Sequence, residues 1–370
     1  MRRLLLGLIA LAAIGCDGAN SLRSLNIGES KSLSPSAGGQ TGPVRVYFTT
    51  PEKPPESSEI AHALVNYIHQ ANHTIDVAGF EVDNKVITEA LVASVKRGVQ
   101  VRLVTETDYI NESGVTALKA VGVPVVDDKR EGALMHNKFM VFDHKSVWTG
   151  SMNFTENCAY RNNNNGVWID DERLAENYST KFGWMFEQHK FGGAPSKTAR
   201  IPHPTITLRD GTLCENYFST HDHIAQHVID KIEQAHARIH FLAFSFTHDG
   251  ISKAMLARSK AGVEVLGVFE KSQVAGGHSD FERFRSAGGS VHVCLDANPR
   301  NMHHKVIVLD DDWVVTGSFN FSTSADKSND ENVVILKNAE INRRFEEEFQ
   351  KVYGAARKLE QNGAVVQKPR

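Results

Sequence analysis

The stretch His136-Asn-Lys138-Phe-Met-Val-Phe-Asp143 returns as His303-His-Lys305-Val-Ile-Val-Leu-Asp310, and both spell His-x-Lys-x-x-x-x-Asp. A second matching element follows each after a short turn: Thr149-Gly150-Ser151-Met-Asn153-Phe154 in the first, Thr316-Gly317-Ser318-Phe-Asn320-Phe321 in the second. Two copies with matching sequels mark an internal duplication, so the fold is to be read as one unit used twice.

Outward from these marks the correspondence continues. His73-Thr-Ile-Asp-Val-Ala-Gly-Phe80 matches Ala237-Arg-Ile-His-Phe-Leu-Ala-Phe244, Arg97-Gly-Val-Gln-Val101 matches Ala261-Gly-Val-Glu-Val265, and Tyr47-Phe48-Thr49 is echoed by Tyr217-Phe218-Ser219. The pattern within a copy alternates strand and helix. Val44 to Phe48 reads as a strand, Ser58 to Gln70 as a helix, Thr74 to Val82 as a strand, Lys85 to Arg97 as a helix stopped by Gly98, and Val99 to Val104 as a strand. This alternation predicts an α/β protein whose sheets are mixed but mostly parallel and covered on both faces. The signature strands turn at Asp143 to Ser146 and at Asp310 to Asp312, and the returning strands lead to Asn162-Asn-Asn-Asn165 and Asn329-Asp-Glu331-Asn332. Counted from each Gly-Ser, Asn164 and Glu331 hold the same place, which makes the asparagine run a site position and not a low-complexity loop.

Strand alternation sets His136 beside Lys138 on one face, and His303 beside Lys305. The Asp, seven residues after its His, cannot be a simple third neighbour. A turn-capping, folding or cross-motif orienting role is open to Asp143 and Asp310, which are counted with the catalytic set. Imidazole suits nucleophilic attack and proton transfer near neutral pH, and an adjacent ammonium neutralises an anion. Two such pairs facing each other form a cradle for one phosphate diester. A lone strand His is usually a satisfied packing residue. His304 is read that way, as are Trp148 and Trp313.

The paired motifs with their trailing Gly-Ser-x-Asn resemble the phospholipase D superfamily over nearly the whole chain beyond the leader, in particular its small bacterial nucleases and mitochondrial cardiolipin hydrolases. The resemblance implies a duplicated α-β-α sandwich with pseudo-twofold related halves. It also implies a two-step reaction without metal or other cofactor, with His136 as nucleophile and His303 as general acid and base. On the same basis Lys138, Lys305, Asn153 and Asn320 bind the non-bridging oxygens, Ser151 and Ser318 support them, and Glu331 orients an active-site His. Asn164 departs from that pattern: an amide cannot stabilise an imidazolium as a carboxylate does, so the two histidines are expected to differ. Fold and motif do not separate lipid from nucleic acid, and the slight net negative charge with the tether described below points to a phospholipid head-group diester as substrate. A nucleic-acid diester, cardiolipin synthase-like transfer to an alcohol, and a non-catalytic binding module are the alternatives. Both halves of the site lie in one chain, so a monomer suffices.

The 370 residues carry 41 Lys plus Arg against 44 Asp plus Glu, for a net charge of −3, so bulk charge does not advertise a general nucleic-acid binder. Two arginines, a short apolar run and small residues at 1–15 read as a secretory signal peptide. Ala13-Ile-Gly-Cys16 is similar to the lipobox of bacterial lipoproteins, which implies an acylated Cys16 holding the protein to the cell envelope at its periplasmic face. A plain signal peptide beside an incidental Cys is the other reading. Residues 16–43 then form a Ser- and Gly-rich tether, 44–190 the first domain, 191–211 a Pro- and Gly-rich linker, 212–356 the second domain and 357–370 a tail. Cys158, Cys214 and Cys294 allow at most one disulfide, and no Cys or His spacing suggests zinc.

Overall fold

A computed structural model describes residues 40–277 and 279–363. The stretch read as a signal peptide, Cys16, the stretch read as a tether up to residue 39 and the last seven residues of the stretch read as a tail lie outside the described residues.

The first half runs β1 (Val44–Phe48), α1 (Glu59–Gln70), β2 (Thr74–Gly79), α2 (Lys85–Lys96), β3 (Gln100–Thr105), α3 (Ser113–Ala120), β4 (Val125–Asp127), β5 (Lys138–Phe142), β6 (Ser146–Gly150), α4 (Glu156–Tyr160), β7 (Asn165–Asp170) and α5 (Glu172–Phe186). Local chemistry sets the helix starts. Ser58 and Asn84 cap α1 and α2 by accepting from Ala61 and Ile87 backbone N–H groups. Gly98, at φ +92°, takes the left-handed turn after α2.

The second half repeats the order: β8 (Thr205–Thr207), β9 (Leu213–Phe218), α6 (Ile224–Gln234), β10 (Arg238–Ala243), α7 (Asp249–Lys260), β11 (Glu264–Phe269), α8 (Lys271–Ala275), α9 (Phe281–Arg285), β12 (Val291–Leu295), β13 (Lys305–Leu309), β14 (Trp313–Gly317), α10 (Thr323–Lys327), β15 (Asn332–Lys337) and α11 (Ala339–Gln361). Two boundaries differ from the sequence reading. Part of the stretch read as linker enters the sheet as edge strand β8, with Ile201, Ile206 and Leu208 buried. The stretch read as tail is helical as far as Gln361.

The sheets order as β1-β7-β6-β5-β2-β3-β4 and β12-β11-β10-β13-β14-β15-β9-β8. They are mixed, as expected, but not mostly parallel. Among the strands of the described residues, parallel pairing is confined to β2-β3-β4 and β10-β11-β12, where helices make the crossovers. From β5 and β13 onward the chain returns through hairpins, which force antiparallel neighbours.

Both halves fall within one compact unit. Strand alternation divides each sheet between two cores. Phe139 and Val141 of β5 join Val306 and Val308 of β13 in a central core that α5 and α11 share, whereas Met140 and Ile307 face the outer layers built on α1 to α3 and on α6, α7 and α9. The five layers bring the ends of β5 and β13 together across the pseudo-twofold axis. Cys158, Cys214 and Cys294 are buried free thiols, and among the described residues no helix is long and apolar enough to cross a membrane.

Candidate active site

The two His-x-Lys segments meet through their backbones. His136 N–H donates to the Asp330 carbonyl at 3.0 Å, and His303 N–H donates to the Asn163 carbonyl at 2.9 Å, so each motif is stitched to the polar loop of the other half. These loops are themselves pinned in matching fashion. Thr49 Oγ1 donates to the Asn162 carbonyl and accepts from Asn164 N–H; Ser219 Oγ donates to the Asn329 carbonyl and accepts from Glu331 N–H. The echo between Tyr47-Phe48-Thr49 and Tyr217-Phe218-Ser219 is therefore a loop-holding device.

Orientation of the imidazoles crosses between halves as well. His136 Nδ1 lies 2.8 Å from both Glu331 oxygens, and His303 Nδ1 lies 2.9 Å from Asn164 Oδ1. Carboxylate and amide oxygens accept, so both rings carry their proton on Nδ1 and leave Nε2 as the reactive lone pair. No hydrogen bond among the described residues uses either Nε2. Ser318 Oγ donates to Glu331 Oε2 at 2.6 Å, and Ser151 Oγ donates to Asn164 Oδ1 at 2.9 Å. The serines thus fix the residues that fix the histidines.

Lys138 and Lys305 are fully buried, their ammonium groups donating to the His136 and His303 carbonyls at 2.7 and 2.9 Å. Phe80 touches both His136 (4.7 Å between ring centroids) and the Lys138 ammonium (4.9 Å), and Phe244 does the same for His303 (4.6 Å) and Lys305 (4.8 Å). Each His and its Lys therefore lie on one side, with an aromatic face supplying part of the cation's lost solvation. Sequence reasoning aligned Phe80 with Phe244 but gave them no place in the site; their identical position at the end of a matched strand was the available signal.

Electrostatically the cluster has too little negative charge. Burial, followed by Lys138 and Lys305, lowers His136 well below the usual imidazole range, and burial followed by Lys305 and Lys138 does the same to His303. Burial brings Lys138 down to about 8 and pushes Glu331 up to about 8. A bound anion would relieve the desolvation penalty on both lysines.

The remaining predicted residues divide. Asn153 is buried, but its Nδ2 donates to Glu81, a residue the sequence reading did not mark. Asn320 is half-buried, and Ser245 stands where Glu81 does, so the two asparagines are not equivalent. Asp143 and Asp310 are not brought to the histidines. Both sit beyond the far ends of β5 and β13 in the left-handed region, at φ 51° and 47°, where Asp is tolerated. Asp143 accepts from the N–H groups of Asn72, His73 and Thr74 at 2.7 to 2.9 Å, and Asp310 accepts from those of His236, Ala237 and Arg238. Of the roles left open for them, the geometry is that of turn caps, which corrects their inclusion in the catalytic set.

A further matched pair lies behind the motifs. Glu106 accepts from Met135 N–H and Glu270 from Met302 N–H, each at 2.7 Å, just before the His segments begin. Burial raises both carboxyls to about 7, with Asp128 and Asp296 adding repulsion. His304 is buried and satisfied by Asn165 and Glu348, as its packing reading held. Trp148 is buried against Tyr47, while Trp313 lies under the Lys231 and Lys337 ammonium groups.

Two glycines admit this geometry. At Gly150 (φ +148°) and Gly317 (φ +149°) a Cβ would come within 2.4 Å of the Asn165 carbonyl oxygen and 2.3 Å of the Asn332 carbonyl oxygen. Only glycine lets β6 and β14 pass so close to the strands that begin at those asparagines. For a metal, the described residues offer His292, Cys294 and Glu360, with ligand atoms within 4.8 Å of one another on β12 and α11. The Arg357 guanidinium contacts that same imidazole and disfavours a cation there. None of the three belongs to the His-Lys cluster.

The family model described as cardiolipin synthase, PLD-like domain, matches residues 64–186 and 228–353, once in each half. A protein named phospholipase D from Rickettsia bellii is 28% identical over 157 residues, covering 42% of this chain and 76% of that protein. A mitochondrial cardiolipin hydrolase from Chlamydomonas reinhardtii is 30% identical over 129 residues, covering 34% of this chain and 57% of the relative. Among solved structures, phosphatidylserine synthase of Haemophilus influenzae Rd KW20 aligns over 83% of this chain and 86% of its own with TM-score 0.62. At 12% identity that is a likeness of fold alone.

Proposed function

The chain belongs to the phospholipase D superfamily, and from that premise we propose that it is a phosphodiesterase that hydrolyses phospholipid head-group diesters through a phosphohistidine. The observation that carries this reading is the crossed pair of Nδ1-anchored imidazoles above two buried lysines. His136 Nε2 attacks phosphorus while the bond to the head-group oxygen breaks, and His303 Nε2–H supplies the proton to that oxygen. Water then gives a proton to His303 as its oxygen attacks phosphorus, the phosphorus–nitrogen bond breaks, and phosphatidic acid leaves. The lysines neutralise the non-bridging oxygens through both steps. Glu331 stabilises the positive charge that His136 gains on attack, which an amide at that place could not do. The negative phosphodiester raises the proton affinity of His303 on arrival, and so prepares it to act as an acid.

Lipid as substrate is supported by the relatives named phospholipase D and cardiolipin hydrolase. The deciding assay compares phosphatidylcholine, cardiolipin and single-stranded DNA side by side in EDTA. Release of choline or phosphatidic acid without DNA cleavage is the expected result. DNA cleavage alone would replace the lipid reading with the nuclease one, and loss of activity on chelation would contradict the metal-free mechanism.

The segment around Cys16 supports placement on a membrane by an acylated Cys16 after export, with the tether holding the folded body off the surface. Cys16→Ala is expected to release the protein from the membrane fraction, and retention there would remove the anchor. With both motifs in one chain, the monomer is the active unit.

A further inference from the structure

A cavity of about 640 Å³ lies between α11 and the loop around Asn298. Asn163, whose carbonyl accepts from His303 N–H, belongs to its wall, so the wall adjoins the second His motif. Pro51, Pro299, Val352 and Ala355 give it an apolar side, and Arg161 and Arg300 stand at it exposed. Among the described residues neither arginine has an acidic partner; Arg161 Nη1 reaches only Asn157 Oδ1, at 3.2 Å. Lys351, by contrast, is already paired with Glu52 at 3.0 Å.

The backbones of the two arginines are tied to one side chain. Asn298 Nδ2 donates to the Arg161 carbonyl at 3.1 Å while its Oδ1 accepts from Arg300 N–H at 2.8 Å, and the same Nδ2 donates to Asn163 Oδ1 at 2.7 Å. One side chain thus ties the backbones of both arginines to the loop that holds His303. Like charges so placed repel unless an anion lies between them. Guanidinium pairs suit phosphate oxygens in particular. Among the described residues the lining contains no aromatic side chain, so it offers no platform on which a base could stack.

We propose that this groove binds an anionic phospholipid, with its phosphate between Arg161 and Arg300 and its acyl chains along the Pro51, Val352 and Ala355 side. The inference rests on the reading of the chain as lipid-directed and gives it a preference: anionic lipids are taken ahead of zwitterionic ones. The groove is a second phosphate subsite, separate from the His-Lys cradle.

Titration calorimetry with full-length protein tests this, using monomeric dihexanoyl phosphatidic acid, which has no head-group diester to cleave. Dihexanoyl glycerol, inorganic phosphate and a short oligothymidylate serve as comparisons. Arg161→Ala/Arg300→Ala is expected to weaken phosphatidic acid binding about tenfold or more, and Arg161→Lys/Arg300→Lys to restore part of it. Inorganic phosphate and the uncharged glyceride should each bind the wild type more weakly than the combined molecule. Equal phosphatidic acid binding with and without the arginines would overturn the proposal, and so would oligothymidylate binding more tightly than the lipid. Because the probe needs no turnover, the two readings fail separately. Arginine-dependent lipid binding without any phosphodiester hydrolysis would refute the catalytic reading and leave the groove. Hydrolysis with arginine-independent binding would do the reverse.

Discussion

Glu331 in the second half lies with both carboxylate oxygens 2.8 Å from Nδ1 of His136 in the first, while the equivalent position in the first half gives His303 the amide of Asn164. A carboxylate strengthens an attacking imidazole as its charge develops; an amide only orients the ring. Glu331→Gln makes the two histidines alike. It is expected to lower kcat on bis(4-nitrophenyl) phosphate by about a hundredfold or more while the protein stays folded by thermal melt. A loss below about threefold would remove the charge-stabilising role of Glu331.

Asp143→Asn separates folding from chemistry. Burial alone would raise the Asp143 carboxyl, but the N–H groups of Asn72, Thr74 and His73 outweigh it and hold the group below the usual carboxylate range. A depressed folded pKa stabilises the protein above the unfolded value of about 3.9 and loses that contribution as pH falls through the folded value. The variant should lose about 1–3 kcal/mol at pH 7, with the gap closing in acid, while kcat per folded molecule stays within a few-fold. Denaturant melts at pH 7 and pH 3 beside active-site titration check this. A hundredfold fall in kcat with unchanged stability would return Asp143 to the catalytic set.

The pH profile follows from burial. His136 must be neutral to attack, and its lowered pKa keeps it neutral down to pH values below 6.5. The acid limb of kcat/KM therefore belongs to Glu331, which burial pushes up to about 8 and which must be ionised to stabilise the imidazolium. On the alkaline side burial brings Lys138 to about 8, so the cation is present below that value and lost above it. KM for an anionic diester should climb as pH passes about 8. A kcat/KM that stays level down to pH 6 together with a flat KM to pH 10 would contradict this electrostatic account.

At Gly317 a Cβ would collide with the Asn332 carbonyl oxygen. Gly317→Ala should force β14 from β15, displace Ser318 and Glu331, and cost both stability and activity. Gly98→Ala, open around its Cβ but at φ +92°, should cost stability alone. Melting temperature and kcat on the two variants distinguish the cases, and an active Gly317→Ala protein would show that the close strand approach is not required.

The duplication, the His-Lys pairs and the inequality between Asn164 and Glu331 were legible because period-2 alternation and repeat register are properties of sequence. The crossing of Glu331 to His136 was not. It depends on how two sheets pack through α5 and α11, which no spacing within one half encodes. The mostly parallel expectation failed for a related reason: helices between early strands advertise crossovers, while the later hairpins contribute more pairings. Phe80 and Phe244 read as strand ends, and only the folded chain turns their faces to the lysines. Glu81 had no partner in the second half to call attention to it.

The central claim is that His136 is the nucleophile and His303 the acid and base. In His303→Ala, bis(4-nitrophenyl) phosphate brings a leaving group that needs no proton, so attack should proceed and hydrolysis should stall. Rapid quench and peptide mass mapping should find one equivalent of nitrophenol released and one 4-nitrophenylphosphoryl group on His136. No adduct on His136, or an adduct on His303 in the converse His136→Ala chain, would contradict the account.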